Sequence, residues 1–332
     1  MKAAIFEDLN QPLSVKELDT PQPGKGEALI KIKAAALNHR DLWVQKGMYP
    51  GIQSGITLGS DGAGVVESVG EGVEGDWKGR EVIINPGHNW GENSRVHSFD
   101  FKILGMPEHG TFAEYVKVPA EYLRLKPSHL NWEEAAALPL AGVTAYRALF
   151  TRAGLKPGEK VLVTGIGGGV SQLAFPFADA AGCPVYVTSG SDEKIQKAIK
   201  AGAKGGFNYK EENWSQKAKE EAGRFDVIID STGGEQFKHL GDLADGGGRI
   251  TVYGGTAGEI QNFHPALVFW KQVTVTGSTM GTKEDFANMT SFVEAKSIKP
   301  TVDKTFSLDE VNDAMERMRA SKQFGKIVLK NE

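Results

Sequence analysis

Lys160-Val161-Leu162-Val163-Thr164-Gly165-Ile166-Gly167-Gly168-Gly169-Val170-Ser171 is the stretch that decides the fold. Its first five residues read as a short buried strand. The glycines form a turn, and Gln172 to Ala181 continues as a helix. A second strand-like run, Pro184-Val185-Tyr186-Val187-Thr188, follows. Strand, glycine turn, helix and strand in that order make the opening unit of a dinucleotide-binding fold. Glycines let the backbone approach a pyrophosphate, and a helix N-terminus offers it unpaired N–H groups.

Working outward, strands and helices alternate from Lys160 onward. Strand signals fall at Val161 to Gly165, Val185 to Ser189, Gly206 to Tyr209, Asp226 to Asp230, Arg249 to Tyr253 and Val273 to Gly277. Helical patterns near Asp192 to Ala201, Glu211 to Ala222, Glu235 to Ala244 and Pro265 to Lys271 separate them. This predicts an α/β domain, a Rossmann doubly wound parallel sheet. The first third reads differently. Runs at Ala28 to Ala36, Gly62 to Val69, Glu81 to Asn85 and Phe112 to Val118, punctuated by Gly and Pro, predict a β-rich domain. Asn131 reads as an N-cap for a helix running toward Ala153 with a break at Pro139. After Pro300 come a strand at Asp303 to Phe306, a helix at Leu308 to Ala320 and a strand at Gly325 to Leu329. This tail is expected to rejoin the first domain. The expected boundaries are 1–126 with 295–332 for the β-rich domain and 127–294 for the dinucleotide-binding domain.

Composition narrows the function classes. With 332 residues, the length suggests about two domains, and a 40% hydrophobic fraction supports real cores. A net charge of −4 with scattered basic residues argues against nucleic acid or anionic membrane as the main partner. No stretch reads as a signal peptide or membrane span, so a cytoplasmic protein is expected. The single cysteine, Cys183, excludes an internal disulfide and reads as buried packing.

Three further stretches carry a family resemblance: Leu58-Gly59-Ser60-Asp61-Gly62-Ala63-Gly64-Val65-Val66-Glu67-Ser68-Val69-Gly70, Gly110-Thr111-Phe112-Ala113-Glu114-Tyr115 and Leu138-Pro139-Leu140-Ala141-Gly142-Val143-Thr144-Ala145-Tyr146. With the glycine loop they resemble the medium-chain dehydrogenase/reductase superfamily over essentially the full length. The resemblance implies a GroES-like catalytic domain interrupted in sequence by the cofactor domain. Zinc-dependent members hold the catalytic metal with Cys, His and Cys or an acid. The matching positions here are Asn38, Ser60 and Ala141, none of them a sound zinc ligand. The region matching the structural-zinc lobe, Pro86 to Leu104, has no cysteine. His88, His97 and His109 follow no zinc spacing and read as loop histidines. No metal site is therefore expected.

The zinc-free, quinone oxidoreductase-like branch is similar in Asn38-His39-Arg40-Asp41 and in Gly47-Met48-Tyr49-Pro50. That similarity implies Asn38 and Tyr49 as catalytic-site residues beside a nicotinamide. It implies cofactor contacts at Gly165, Gly167, Gly168, Gly169, Val170, Ser189, Lys194, Tyr209, Ser231, Tyr253, Gly254, Ser278 and Lys326. No carboxylate stands at Ser189, where one would select NAD; Asp192 reads as helix capping. Ser189, Lys194 and Tyr209 point to NADP(H). Ser171 replaces the glycine that usually ends the loop. The expected function is an NADPH-dependent, zinc-independent oxidoreductase passing hydride to a small quinone or α,β-unsaturated carbonyl. A zinc-free alcohol dehydrogenase or carbonyl reductase, and a non-catalytic NADPH-binding protein, are the alternatives. A homodimer joined through edge strands near Val273 to Gly277 is expected.

Overall fold

The computed structural model describes residues 1–331. By compactness the chain forms two units, Met1–Val143 together with the chain from Gly281 onward, and Thr144–Met280. Residues 127–143 and 281–294 thus pack with the β-rich unit, where the sequence reading had grouped them with the dinucleotide-binding domain.

Thr144–Met280 is built on six parallel strands: Val161–Val163, Val185–Ser189, Gly205–Asn208, Phe225–Asp230, Ala244–Val252 and Thr274–Gly277. Numbered in that sequence order, they lie 3-2-1-4-5-6 across the sheet. This is the doubly wound order whose first strand sits at the switch point. The inner strands Val161–Val163, Val185–Ser189 and Phe225–Asp230 are largely apolar and buried, as strands covered on both faces of a parallel sheet are. Leu162, Ile228 and Ile250 are fully buried and pack with Trp214, Phe225, Phe237 and Leu240.

The β-rich unit holds a seven-stranded sheet around the long strand Glu27–Ala36. Asp61–Val69 pairs antiparallel along one side of that strand, and Lys326–Lys330 pairs antiparallel along part of the other. Val302–Ser307 lies parallel beside Lys326–Lys330, so the C-terminal tail does rejoin this unit. Its core combines Ile30, Ile32, Phe112 and Val116 with Phe306, Met315 and Leu329. The expected helix from Asn131 is three pieces: Trp132–Ala136, Pro139–Tyr146 and a π-helical turn Arg147–Arg152. The break falls at Pro139, whose ring cannot continue a helix but suits the first turn of a new one. The helices His39–Gln45 and Lys283–Lys296 are additions to the sequence reading. Among the described residues no helix is long and apolar enough to cross a membrane.

Candidate active site

In the parallel-sheet unit the polar groups gather at the carboxyl ends of the strands. Gly165 follows the first strand at φ +65, and a Cβ there would meet Ser231 Oγ at 2.7 Å, so only glycine fits. Gly168 caps the helix Gly169–Ala180 without offering a side chain. The first-turn N–H groups of a helix have no intrahelical acceptor, and the residues there, Gly169 and Val170, are half-buried. Ser171, where a third glycine was expected, is fully buried. Its Oγ lies 2.6 Å from Gly165 O and 2.9 Å from Gly168 O. The hydroxyl therefore straps the loop from inside.

The fourth and fifth strand ends complete this cluster. Asp230 is fully buried and accepts from Thr164 Oγ1 at 2.8 Å and from the Gly233 N–H at 2.8 Å. It shapes the loop that carries Ser231, a role the sequence reading missed. Tyr253 lies beside Ser231 and Ser171, and desolvation pushes its phenol above its ordinary pKa. A Cβ on Gly254 would meet Ser231 O at 2.7 Å. Past the sixth strand Ser278 is 8% exposed, and its Oγ has no protein partner. Gly165, Gly168, Ser231, Tyr253 and Gly254 are thus brought together, with a buried hydroxyl at the next strand end. This arrangement suits a nucleotide: backbone donors at a helix N-terminus, glycines for close approach, and an orphan hydroxyl.

The corner after the second strand gathers Ser189, Tyr209 and the start of the helix bearing Lys194. A Cβ on Gly190 would meet Tyr209 Oη at 2.8 Å and Lys210 Cε at 2.8 Å, so both side chains cover that loop. Ser189 Oγ accepts the Ser191 N–H at 3.2 Å. Ser191, and not Asp192, is the N-cap; its side chain accepts from the Lys194 N–H. Asp192 accepts Asn208 Nδ2 at 2.8 Å.

The β-rich unit contributes a second polar cluster, made by strand register. Val328 stands opposite Ala36, and the Leu37 N–H donates to Ile327 O at 2.9 Å, which carries Lys326 alongside Asn38. Asp61 stands opposite Ala36 on the other flank. Asn38 therefore emerges between a lysine and an aspartate. Gly325 has φ +111, and a Cβ there would meet Thr301 O at 2.4 Å, so a glycine delivers Lys326 into this position. Lys326 Nζ donates to Leu37 O at 2.7 Å, Asn38 Oδ1 at 2.6 Å and Asp61 Oδ2 at 2.8 Å. Asn38 Nδ2 donates to Asp61 Oδ2 at 2.9 Å, and the Leu140 N–H donates to Asp61 Oδ1 at 2.7 Å. Lys326 is 4% exposed and Asp61 is fully buried.

An ammonium has three donors, and Lys326, expected as a cofactor contact, uses all of them inside this unit. The cation that Asp61 holds is a lysine.

The adjoining helix is charged and buried. Asp41 Oδ2 accepts the Asn38 N–H at 2.8 Å, while its Oδ1 has no partner. Burial pushes the Asp41 carboxyl up to about 6, against the pull of Arg40. Arg40 Nη1 donates to Ser60 Oγ at 2.6 Å and Leu104 O at 2.8 Å. Its guanidinium lies 4.6 Å from the Tyr49 ring centroid. Tyr49 is thereby attached to the same segment as Asn38. His39 is held below its usual pKa, first by burial and then by the Lys326 charge.

The donor set does not fit zinc. Asn38 is engaged by Lys326 and Asp61, Ser60 Oγ by Arg40 and Leu104 O, and Ala141 has no donor. His88 pairs with Glu108, His97 stacks on Phe101, and His109 accepts from the Thr57 N–H. No three His, Cys, Asp or Glu among the described residues converge as a metal set. Cys183 is buried, donates to Lys156 O at 3.2 Å, and burial raises its thiol.

Residues 24–128 match the family model for the alcohol dehydrogenase GroES-like domain, and residues 169–295 match that for zinc-binding dehydrogenase. A zinc-type alcohol dehydrogenase-like protein of Schizosaccharomyces pombe is 39% identical, spanning 96% of this chain and 95% of its own. One from Leptosphaeria maculans is 36% identical, spanning 96% and 94%. A solved NAD-dependent alcohol dehydrogenase matches at a TM-score of 0.94 with 36% identity, covering 100% of both chains. The chain belongs to the medium-chain dehydrogenase/reductase superfamily, as an alcohol dehydrogenase-like oxidoreductase.

Proposed function

We propose that the chain is an NADPH-dependent, zinc-independent oxidoreductase that reduces a quinone or an α,β-unsaturated carbonyl. Gly165, Gly167, Gly168, Gly169 and Val170 hold the pyrophosphate. Ser189, Lys194 and Tyr209 hold the 2′-phosphate, and Ser231, Tyr253, Gly254 and Ser278 run along the rest. The bound cofactor supplies hydride. Asn38 and Tyr49 orient the acceptor and donate hydrogen bonds to the oxygen on which negative charge develops. Most of the acceleration comes from holding the acceptor at a reactive distance and angle. Water supplies the proton.

One observation carries the zinc-independent reading: Lys326 Nζ lies 2.6 Å from Asn38 Oδ1. A metal dication at Asn38 would face a fixed positive charge in a buried setting, where like charges repel strongly. The phosphate preference is supported by Tyr209 and Lys210 lying on Gly190 at the second-strand corner, with the nearby acid Asp192 engaged by Asn208. Steady-state oxidation of NADPH and NADH with a naphthoquinone, an enone and an aldehyde, together with metal analysis, tests each part. Turnover of aldehyde alone overturns the acceptor class. A preference for NADH overturns the phosphate reading, and one tightly held transition metal per chain overturns zinc independence.

A second reading, a dehydrogenase of simple alcohols using NAD, is favoured by the likeness to the solved NAD-dependent alcohol dehydrogenase. We further propose a cytoplasmic homodimer joined at the edge strand Thr274–Gly277. Val275 there is 42% exposed, and Trp270, just before it, is 80% exposed. Light scattering that returns a monomer removes the dimer.

A further inference from the structure

Lys326 is too enclosed to be an ordinary surface lysine and too fully bonded to be a ligand for phosphate. Its three hydrogen bonds end on Leu37 O, Asn38 Oδ1 and Asp61 Oδ2. Their effect falls on Asn38. An amide that turned over would place its NH2 against the ammonium and its oxygen against the Asp61 carboxylate. Both contacts would be repulsive, so one orientation is enforced. In that orientation one Nδ2 hydrogen goes to Asp61 Oδ2, and the second has no protein acceptor among the described residues. A cation on the amide oxygen also draws electron density from the nitrogen, which strengthens that second N–H as a donor. The frame is rigid. Asp61 is anchored to the Leu140 N–H at the start of one helix, and the Asn38 N–H is held by Asp41 at the start of another.

We propose that Lys326 is a positioning residue: by holding Asn38 Oδ1 it fixes and polarises the amide so that the free Nδ2–H meets the substrate oxygen during reduction. The inference rests on the reading of Asn38 as the oxygen-facing donor. In the step itself a C–H bond forms at the acceptor carbon with the hydride pair. That pair would come from the C–H bond broken in the reduced nicotinamide, whose two-electron oxidation balances the reduction; the acceptor π pair moves onto its oxygen, and water later supplies the proton. Lys326 touches neither the substrate nor the hydride and acts through Asn38.

The test uses the full chain as Lys326→Arg, Lys326→Met, the charge-neutral pair Asp61→Asn with Lys326→Met, and Asn38→Ala. NADPH affinity is read by fluorescence titration, separately from kcat and KM with the quinone or enone. Lys326→Met and the paired variant are expected to lower kcat about tenfold to a hundredfold, the scale of losing one oxyanion donor. NADPH affinity and KM stay near wild type. Lys326→Arg restores part of kcat, and added methylammonium restores part of it in Lys326→Met but none in Asn38→Ala. A weakened NADPH affinity with kcat kept would make Lys326 a cofactor ligand and overturn the proposal, as would a wild-type kcat in Lys326→Met. Should Lys326→Met fail to fold, the paired variant, which removes both members of the Lys326–Asp61 ion pair, decides by the same readouts. A wild-type kcat in Asn38→Ala instead defeats the reading of Asn38 itself. A slow Asn38→Ala beside a normal Lys326→Met defeats only the role of the lysine.

Discussion

At the carboxyl ends of the parallel strands the polar groups belong largely to backbone: glycine N–H groups, a helix N-terminus, and hydroxyls tied to carbonyls. At the end of Glu27–Ala36 they belong to side chains, with Asn38, Asp41, Asp61 and Lys326 buried among one another. The first arrangement holds one buried carboxylate, Asp230, satisfied by Thr164 and the Gly233 N–H, and is otherwise made of uncharged groups. The second is a set of buried charges that must satisfy each other whether or not a ligand is present. The two regions should therefore respond differently to substitution, the charged one mainly in stability and the glycine one mainly in cofactor affinity.

The largest expected effect is at Asp61. Asp61→Ala leaves the Lys326 ammonium buried with a missing acceptor and removes the Asp61 acceptor of the Leu140 N–H. Breaking a buried pair by removing one partner costs about 3–5 kcal/mol. Denaturant unfolding should register a loss of that size. A loss under about 1 kcal/mol, the range of exposed pairs, would show that water already screens the cluster, and the contrast between the two regions would fall.

Asp41 gives the next effect, through pH. Its folded pKa of about 6 lies above the ordinary value of 3.8. The native state therefore binds this proton more readily than the unfolded chain. Above pH 6 the buried charge is a penalty; between 6 and 4 the penalty is relieved as pH falls. Two pKa units correspond to roughly 3 kcal/mol at most. Asp41→Asn removes the titration, and its amide oxygen can still accept the Asn38 N–H. The stability difference between wild type and this variant should shift toward wild type as pH drops from 7 to 4. His39 acts in the opposite sense, since its lowered pKa contributes stability above its unfolded value that is lost on acidification. It is present in both proteins and cancels in the comparison. A flat difference across that range would place Asp41 in contact with water.

The same contrast governs what could be read before any coordinates. The parallel strands were legible because short β-prone runs such as Val161–Val163 and Val185–Ser189 alternate with helical patterns and are closed by glycine or a polar residue, a local signal. Helix Lys283–Lys296 escaped notice although Thr282 and Asp285 form a capping box and Phe286, Met289 and Val293 share its buried face. Its apolar residues are sparse, and the capping pair was the signal to use. Asn38 stands out individually through the family resemblance, and Asp61 lies within one of the stretches that carry it. Their junction with Lys326 does not stand out, because it joins residues 265 and 288 positions apart through sheet register. Such a pairing leaves no periodicity in the chain. Ser171 was legible as a departure from the glycine pattern, but its inward strap to Gly165 O depends on the loop being closed.

On the glycine side, Gly165→Ala places a methyl 2.7 Å from Ser231 Oγ at a residue with φ +65. Left-handed backbone costs a non-glycine residue about 1–2 kcal/mol. If the loop relieves that strain by moving away from its binding shape, NADPH affinity drops on the order of tenfold. Isothermal titration measures this directly. An unchanged affinity would mean that the loop geometry is not what receives the pyrophosphate.

The smallest effect expected is a change of preference at Lys194. Its backbone N–H is capped by Ser191 and does not depend on the side chain, so Lys194→Ala should leave the helix Asp192–Lys200 intact. A charge-assisted hydrogen bond to a 2′-phosphate is worth roughly 1.5 kcal/mol, about tenfold in affinity. The variant should lose that factor for NADPH and nothing for NADH, measured as the ratio of the two dissociation constants. An equal loss for both cofactors would move Lys194 from discrimination to general electrostatic attraction. No loss for either would leave Ser189 and Tyr209, with Lys210 lying on Gly190, as the groups that must account for any preference.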